Sequence, residues 1–175
     1  MLGTCERRFV RRYRVLVDLQ VRPAGPSDAA ALATIAVRAI TITAAGSYDE
    51  TQLERWASSF TPDRLEESIA STFVVVAEGA DGPVGFANLV THDTATGELD
   101  LLYVDPDGAG QGIARALCAA VESEARRRGC TSLVADASLL AGPVLEHLGY
   151  RVLRRYEKVH EGAAYENTWL LKDLG

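Results

Sequence analysis

Residues 102–117 read Leu-Tyr-Val-Asp-Pro-Asp-Gly-Ala-Gly-Gln-Gly-Ile-Ala-Arg-Ala-Leu, an apolar extended segment feeding a glycine-rich loop that opens a helix. Gly108, Gly110 and Gly112 let the backbone approach a ligand closely and adopt positive φ. The first N–H groups of the following helix lack intrahelical partners and sit at the positive end of its dipole. Loop and helix end together suit an anion such as a pyrophosphate, and Arg115, within the first turn, can add a charge-assisted contact. Just upstream, Glu98 and Asp100 alternate along one strand and are expected to share a face with Leu102 and Val104. Carboxylates so placed are candidates for proton removal from a substrate.

Other readings of the loop fare less well. Glycines can simply turn a chain between a strand and a helix. A nucleotide P-loop needs Gly-Lys-Ser/Thr, and here Gly112 is followed by Ile113 and Ala114. A dinucleotide-binding unit would place an acidic residue on the next strand, which Asp136 satisfies, but it also needs alternating strands and helices before the loop. A run of consecutive strands precedes it instead.

The elements that must position these residues follow from periodicity. Val15–Arg22 alternates apolar and polar residues and predicts a first strand. Pro23 and Pro26 break it, Ser27 can cap a helix, and Leu32, Ile35, Ala36, Ala39 and Ile40 recur at helical spacing. A second helix is predicted from Asp49 to about Ser58, and a third from Thr61-Pro62 to about Ala70. Strands are predicted at Thr72–Glu78, Val84–Thr91 and Glu98–Val104. The strongest helix spans Gly112–Arg128, with Ile113, Leu117, Ala120 and Val121 on one stripe and Gly129 as its stop. A strand at Leu133–Ala137, a short helix at Ala141–Leu148 and a pair of strands at Arg151–His160 and Glu166–Lys172 complete the chain. This is one mixed α/β domain, expected over residues 15–175, with Met1–Arg14 as a flexible basic arm.

Totals agree with that organisation. The 175 residues are 47% apolar and 24% charged, with a formal charge of −6. Such a chain can bury a substantial core, and its acidic balance gives no support to nucleic-acid binding. Cys5, Cys118 and Cys130 lack the spacing of a zinc site or disulfide framework, so no metal is expected and Cys118 is assigned to the core. No apolar run approaches the ~20 residues of a membrane span. The arginines of the arm come without the apolar stretch of a secretory signal. A reduced, cytoplasmic protein is expected, and a homodimer is allowed.

With these motifs in order, the chain resembles the GNAT superfamily of acetyl-CoA-dependent N-acetyltransferases. Their pyrophosphate loop, Q/R-x-x-G-x-G/A after a strand ending in hydrophobic-x-Val and a proline, is matched at Leu102-Tyr103-Val104, Pro106, Gly112 and Ala114. The Arg22–Asp28 opening, the Val84-Gly85-Phe86 strand and the Glu146-x-x-Gly149-Tyr150 close extend the resemblance from about Val21 to Leu171. It implies an α/β fold with a single mixed, mostly antiparallel sheet flanked by helices, and acetyl-CoA as cosubstrate. It also implies cofactor contacts at Leu102, Tyr103, Val104, Ala109, Gly110, Gln111, Gly112, Ile113, Ala114, Arg115 and Ser138. The Val104 N–H would meet the developing oxyanion.

The chain departs from the pattern at two places. Ala109 stands at the Gln/Arg position of the loop, where Gln111 or backbone amides would have to compensate. Leu145 stands where many members carry the tyrosine that protonates the departing thiolate. Ser138 replaces an asparagine that faces the cofactor arm, and its hydroxyl can keep one hydrogen bond.

The implied reaction acetylates a primary amine of a small molecule or peptide. Amines with pKa values of about 8 to 10.4 must lose a proton first. Asp100, close to the cofactor-binding segment, is the first candidate base, Glu98 the second and His92 the third. Tyr103 is expected on the opposite face as a packing residue. Tyr48 and Trp56, in the region resembling the acceptor-side wall, are expected in the core. A non-catalytic acyl-CoA-binding domain is the alternative that Ala109 and Leu145 leave open.

Overall fold

A computed structural model describes residues 19–91, 95–160 and 162–175. The expected basic arm, residues 15–18 of the first predicted strand, and His92 lie outside them.

The elements run β1 (Gln20–Pro23), α1 (Ala29–Arg38), α2 (Glu50–Ser58), α3 (Pro62–Ser71), β2 (Phe73–Gly79), β3 (Gly82–Thr91), β4 (Thr96–Val104), α4 (Ile113–Arg127), β5 (Ser132–Ser138), α5 (Ala141–His147), β6 (Arg151–His160) and β7 (Ala163–Asp173). A 3-10 turn at Pro26–Asp28 leads into α1, and a π-helical turn at Ala39–Thr43 extends it. The helix starts follow local chemistry. Asp49 accepts from Gln52 N while the Gln52 side chain accepts from Asp49 N, both at 2.8 Å, a capping box that fixes α2. Thr61 Oγ1 accepts from Arg64 N at 3.2 Å, with Pro62 at the first helical position of α3.

The seven strands form one sheet in the order β1-β2-β3-β4-β5-β7-β6. All neighbours are antiparallel except β4 and β5. This is the mixed, mostly antiparallel sheet with flanking helices that the sequence implied. Both faces of its centre are covered, so Val74, Val75 and Val76 are buried in succession. Val75, Leu99, Leu117, Val121 and Leu133 form one apolar cluster with α4. Val74, Val76, Phe86 and Leu101 form the other with Leu32, Ile35 and Leu65 of α1 and α3.

Two irregularities in β4 position everything else. Against β3, Ala87 faces Leu102 and Leu89 faces Leu99, so Asn88 alone opposes Asp100 and Leu101. That is a β-bulge, and it reverses which side chains share a face. Against β5, pairing covers only Thr96↔Ser132, Gly97↔Leu133 and Glu98↔Val134, beyond which the two strands separate.

Candidate active site at the splay of two strands

The gap between β4 and β5 opens a cleft of about 230 Å³, walled by Leu102, Val104, Ala135, Ala137, Ser138 and Leu145 among others. Its walls are mostly apolar. The backbone supplies the polarity. Asp105 N donates to Val84 O across to β3 at 2.9 Å. Inter-strand bonds alternate along an antiparallel pair, so the amides of Val104 and Leu102 point the other way, toward the cleft.

At one end of the cleft the chain turns through the glycine loop into α4. Gly110 and Gly112 adopt φ of +78° and +80°, and a Cβ at either would meet nothing within 4 Å. The positive φ explains the glycines, and the open space lies beside the helix N-terminus. Gly108 is different: a Cβ there would lie 2.6 Å from Ile113 Cδ1, so it is small in order to pack. The loop is held from outside by Arg38 at the end of α1. Arg38 Nε donates to Asp105 Oδ2 at 2.8 Å, and its Nη2 to Asp107 Oδ2 at 3.0 Å. Burial alone would raise the Asp105 carboxyl, but hydrogen bonds from Arg38 and Asp107 N outweigh it and hold the group below the usual carboxylate range. Gln111 donates from Nε2 to Asp107 O at 3.1 Å, within the loop. Arg115 and Ala109 are exposed at its rim, Ile113 is buried beneath it, and Ala114 borders the cleft. These residues and open space fit a thin acyl-pantetheine chain ending in a pyrophosphate.

A second cavity of about 160 Å³ adjoins the first, and Trp56, Asp100, Tyr103, Asp136 and Ser138 line both. Tyr48, Phe60 and Tyr165 add further aromatic wall. Trp56 lies edge-on to Tyr48 and Tyr165, with centroids 5.5 and 6.3 Å apart. Its Nε1 donates to Tyr103 Oη at 3.1 Å. Burial pushes the Tyr103 and Tyr48 hydroxyls up from their ordinary pKa. Asp136 accepts from Lys158 at 2.7 Å and Asn167 at 2.8 Å. Burial opposes its ionisation, yet these bonds and one from Tyr156 hold it below the usual range.

Asp100 reaches this junction by a route that alternation does not give. Leu102 and Val104 pack with Leu99, whereas Leu101 and Tyr103 pack on the other side. The expected shared face of Glu98, Asp100, Leu102 and Val104 is therefore broken by the bulge. Glu98 lines neither cavity, while exposed Asp100 lines both. The bulge rests on a residue the sequence reading missed. Asn88, 1% exposed, accepts from Leu101 N through Oδ1 at 2.6 Å, and its Nδ2 lies 3.4 Å from Asp100 Oδ2. The Leu101 amide would otherwise be an orphan, since the extra residue of a bulge has no ladder partner. A buried asparagine in a strand with few other polar residues was the available signal.

Other expectations need similar correction. Tyr103 does not point away from Asp100 but lines both cavities with it, because the bulge reverses the parity on which that reading rested. Tyr48 and Trp56 pack among aromatics as expected but also form cavity walls, because the aromatic cluster is open on one side. Ser138 Oγ accepts from Ala141 N at 3.3 Å, tying β5 to α5. Leu145 is buried in the cleft wall and offers no proton, and Cys118 is in the core.

Comparison with known proteins identifies the family. The acetyltransferase (GNAT) domain family matches residues 44–166. The chain is 31% identical to the N-acetyltransferase YafP of Escherichia coli (strain K12) over 154 residues, covering 87% of this chain and 95% of that one. It is 34% identical to an aminoglycoside N(6')-acetyltransferase type 1 of Stenotrophomonas maltophilia over 129 residues, covering 67% and 74%. Among solved structures, a GCN5-related N-acetyltransferase from Rhodopseudomonas palustris aligns with a TM-score of 0.83 at 32% identity, over 91% and 98% of the two chains. YncA of Salmonella typhimurium, solved with its cofactor acetyl-CoA, aligns with a TM-score of 0.68 at 27% identity, over 90% and 94%. The chain belongs to the GNAT family and is an N-acetyltransferase with acetyl-CoA as cosubstrate.

Proposed function

We propose that the acceptor is a primary amine of a small molecule or peptide, that it enters through the aromatic cavity, and that Asp100 removes its proton. The observation that carries this reading is the placement of Asp100 at the junction of the two cavities. The cofactor supplies an acetyl group activated as a thioester. In this reading the glycine loop and the first turn of α4 bind its pyrophosphate, and the separated edges of β4 and β5 grip its arm. The amide of Val104 lies on the open edge of β4, where a hydrogen bond to the carbonyl oxygen would strengthen as negative charge develops.

The amine nitrogen bonds to the acetyl carbon, the carbon–sulfur bond breaks, and the proton lost by nitrogen passes to Asp100 directly or through one water. The leaving thiolate takes a proton from water, since Leu145 cannot give one. Trp56 and Tyr103 restrict solvent around the reacting atoms. The aminoglycoside acetyltransferase relative supports an amine acceptor. A panel of amines assayed for free-thiol release tests the reading: acetylation of none of them, by protein that binds acetyl-CoA, would refute it.

A further inference from the structure

The acceptor cavity is lined by two acidic side chains, Asp100 and Asp136, and by two basic ones, Arg64 and Lys158. Lys158 and Asp136 are already joined at 2.7 Å. The other two are not matched. Asp100 meets the Asn88 amide at 3.4 Å and, among the described residues, forms no salt bridge. Arg64, on the first turn of α3, donates through Nη1 to Ser59 O at 2.9 Å and to Ser59 Oγ at 2.8 Å, both uncharged. Its guanidinium lies 4.5 Å from the centre of the Phe60 ring. The ring contact and the two Ser59 bonds orient the exposed guanidinium, and the bonds engage only Nη1, which leaves Nη2 and Nε as a donor fork.

We propose that this pair reads a zwitterion: the acceptor is an amino acid, its amine directed to Asp100 and its carboxylate to Arg64. The inference rests on the amine-acceptor reading above and narrows it. An ammonium compound without an anion would leave the Arg64 side of the cavity unmatched. A dianionic acceptor would meet Asp100 with like charge. An amino acid meets both groups with opposite charge, and the aromatic walls formed by Tyr48, Trp56 and Tyr165 receive an apolar or aromatic side chain. The guanidinium fork suits a carboxylate in particular, because both can form two parallel hydrogen bonds. Lys158 has no such role while it is held by Asp136.

The test compares the free L-amino acids with their α-carboxamides as acceptors for the intact protein with acetyl-CoA, by thiol release. The amine of a carboxamide is the easier one to deprotonate, so basicity alone works against the expected result. For the preferred side chain, kcat/KM for the acid should exceed that for the amide by about tenfold or more, the scale of a charge-assisted hydrogen bond. Arg64→Met, which keeps an unbranched side chain without the guanidinium, should abolish that preference, and Arg64→Lys should keep part of it. Melting temperature and acetyl-CoA affinity measured on both variants identify any loss of fold. Equal use of acids and amides by the wild type, or a preference that survives Arg64→Met, would overturn the zwitterion site and leave the amine-acceptor reading standing. Acetylation of neither form, with acetyl-CoA bound, would likewise overturn the zwitterion site, whereas the amine-acceptor reading falls only if the wider amine panel also fails.

Discussion

Replacing Asn88 by leucine removes the polar atoms that hold the bulge while keeping most of the side-chain volume, so no large cavity is made. The Leu101 N–H, bonded to Asn88 Oδ1 at 2.6 Å in a buried site, is left without an acceptor. A buried donor in that position costs about 1–3 kcal/mol. For a domain of this size, 1 kcal/mol shifts the melting temperature by roughly 2–4 °C, so a drop of roughly 2–12 °C is expected. The chain can escape part of this cost by giving up the bulge, which would return β4 to simple alternation and carry Asp100 off the junction of the cavities. Turnover should then fall toward the level of a variant without a base, up to about 10²–10⁴-fold. Acetyl-CoA affinity should change little, because the glycine loop lies beyond the bulge. Thermal unfolding, acetyl-CoA titration calorimetry and thiol release on the same preparation separate these effects. Unchanged stability would refute the account of the buried bond. Lost stability with full turnover would show that Asn88 supports the sheet without positioning Asp100.

Three further outcomes follow from the geometry. Gly112→Glu forces a side chain into φ +80° and sets a carboxylate beside the α4 N-terminus, so calorimetry should find acetyl-CoA binding abolished in a protein that still melts cooperatively. Arg38→Gln frees Asp105 and Asp107 of the loop and should weaken acetyl-CoA measurably but modestly, since the pair is partly exposed and screened; the effect of the same substitution should shrink in high salt. The pKa of Asp28 is lowered by its bonds from Arg22 and Gly25, and those of Asp105 and Asp136 by bonds that outweigh burial. Folded values below the unfolded value of about 3.9 mean that this stabilisation is complete above that pH and is lost as pH falls through the lowered values. Urea midpoints should therefore hold from pH 7 to about 5 and fall below about 4, less steeply in Arg22→Gln.

Much of the fold was legible because local signals agreed with tertiary need. Capping residues Asp49 and Thr61 start their helices, Gly112 opens α4, and Gly129, at φ +89°, follows its end. The glycine loop was legible for the same reason, since Gly110 and Gly112 answer a local demand for positive φ. The acceptor side was not. A bulge depends on pairing between strands and on a buried amide ten or more residues away, neither of which has a period in the sequence. Alternation therefore placed Asp100 with Leu102 and turned Tyr103 away. Arg38 and Arg64 were equally invisible, because each acts across the fold on groups brought to it by other elements. Leu145 was visible as a departure, but only the cleft shows that it is wall.

The central claim is that Asp100, at the junction of cofactor cleft and acceptor cavity, accepts the amine proton. Turnover of Asp100→Asn at saturating acetyl-CoA, followed across pH with a substrate amine, tests it most directly, with Glu98→Gln as control. The account predicts a loss of about 10²–10⁴-fold for Asp100→Asn near neutrality, partly restored as rising pH supplies neutral amine, with the acetyl-CoA dissociation constant unchanged. Glu98→Gln should have the smaller effect. Wild-type turnover in Asp100→Asn, or a larger loss in Glu98→Gln, would contradict it.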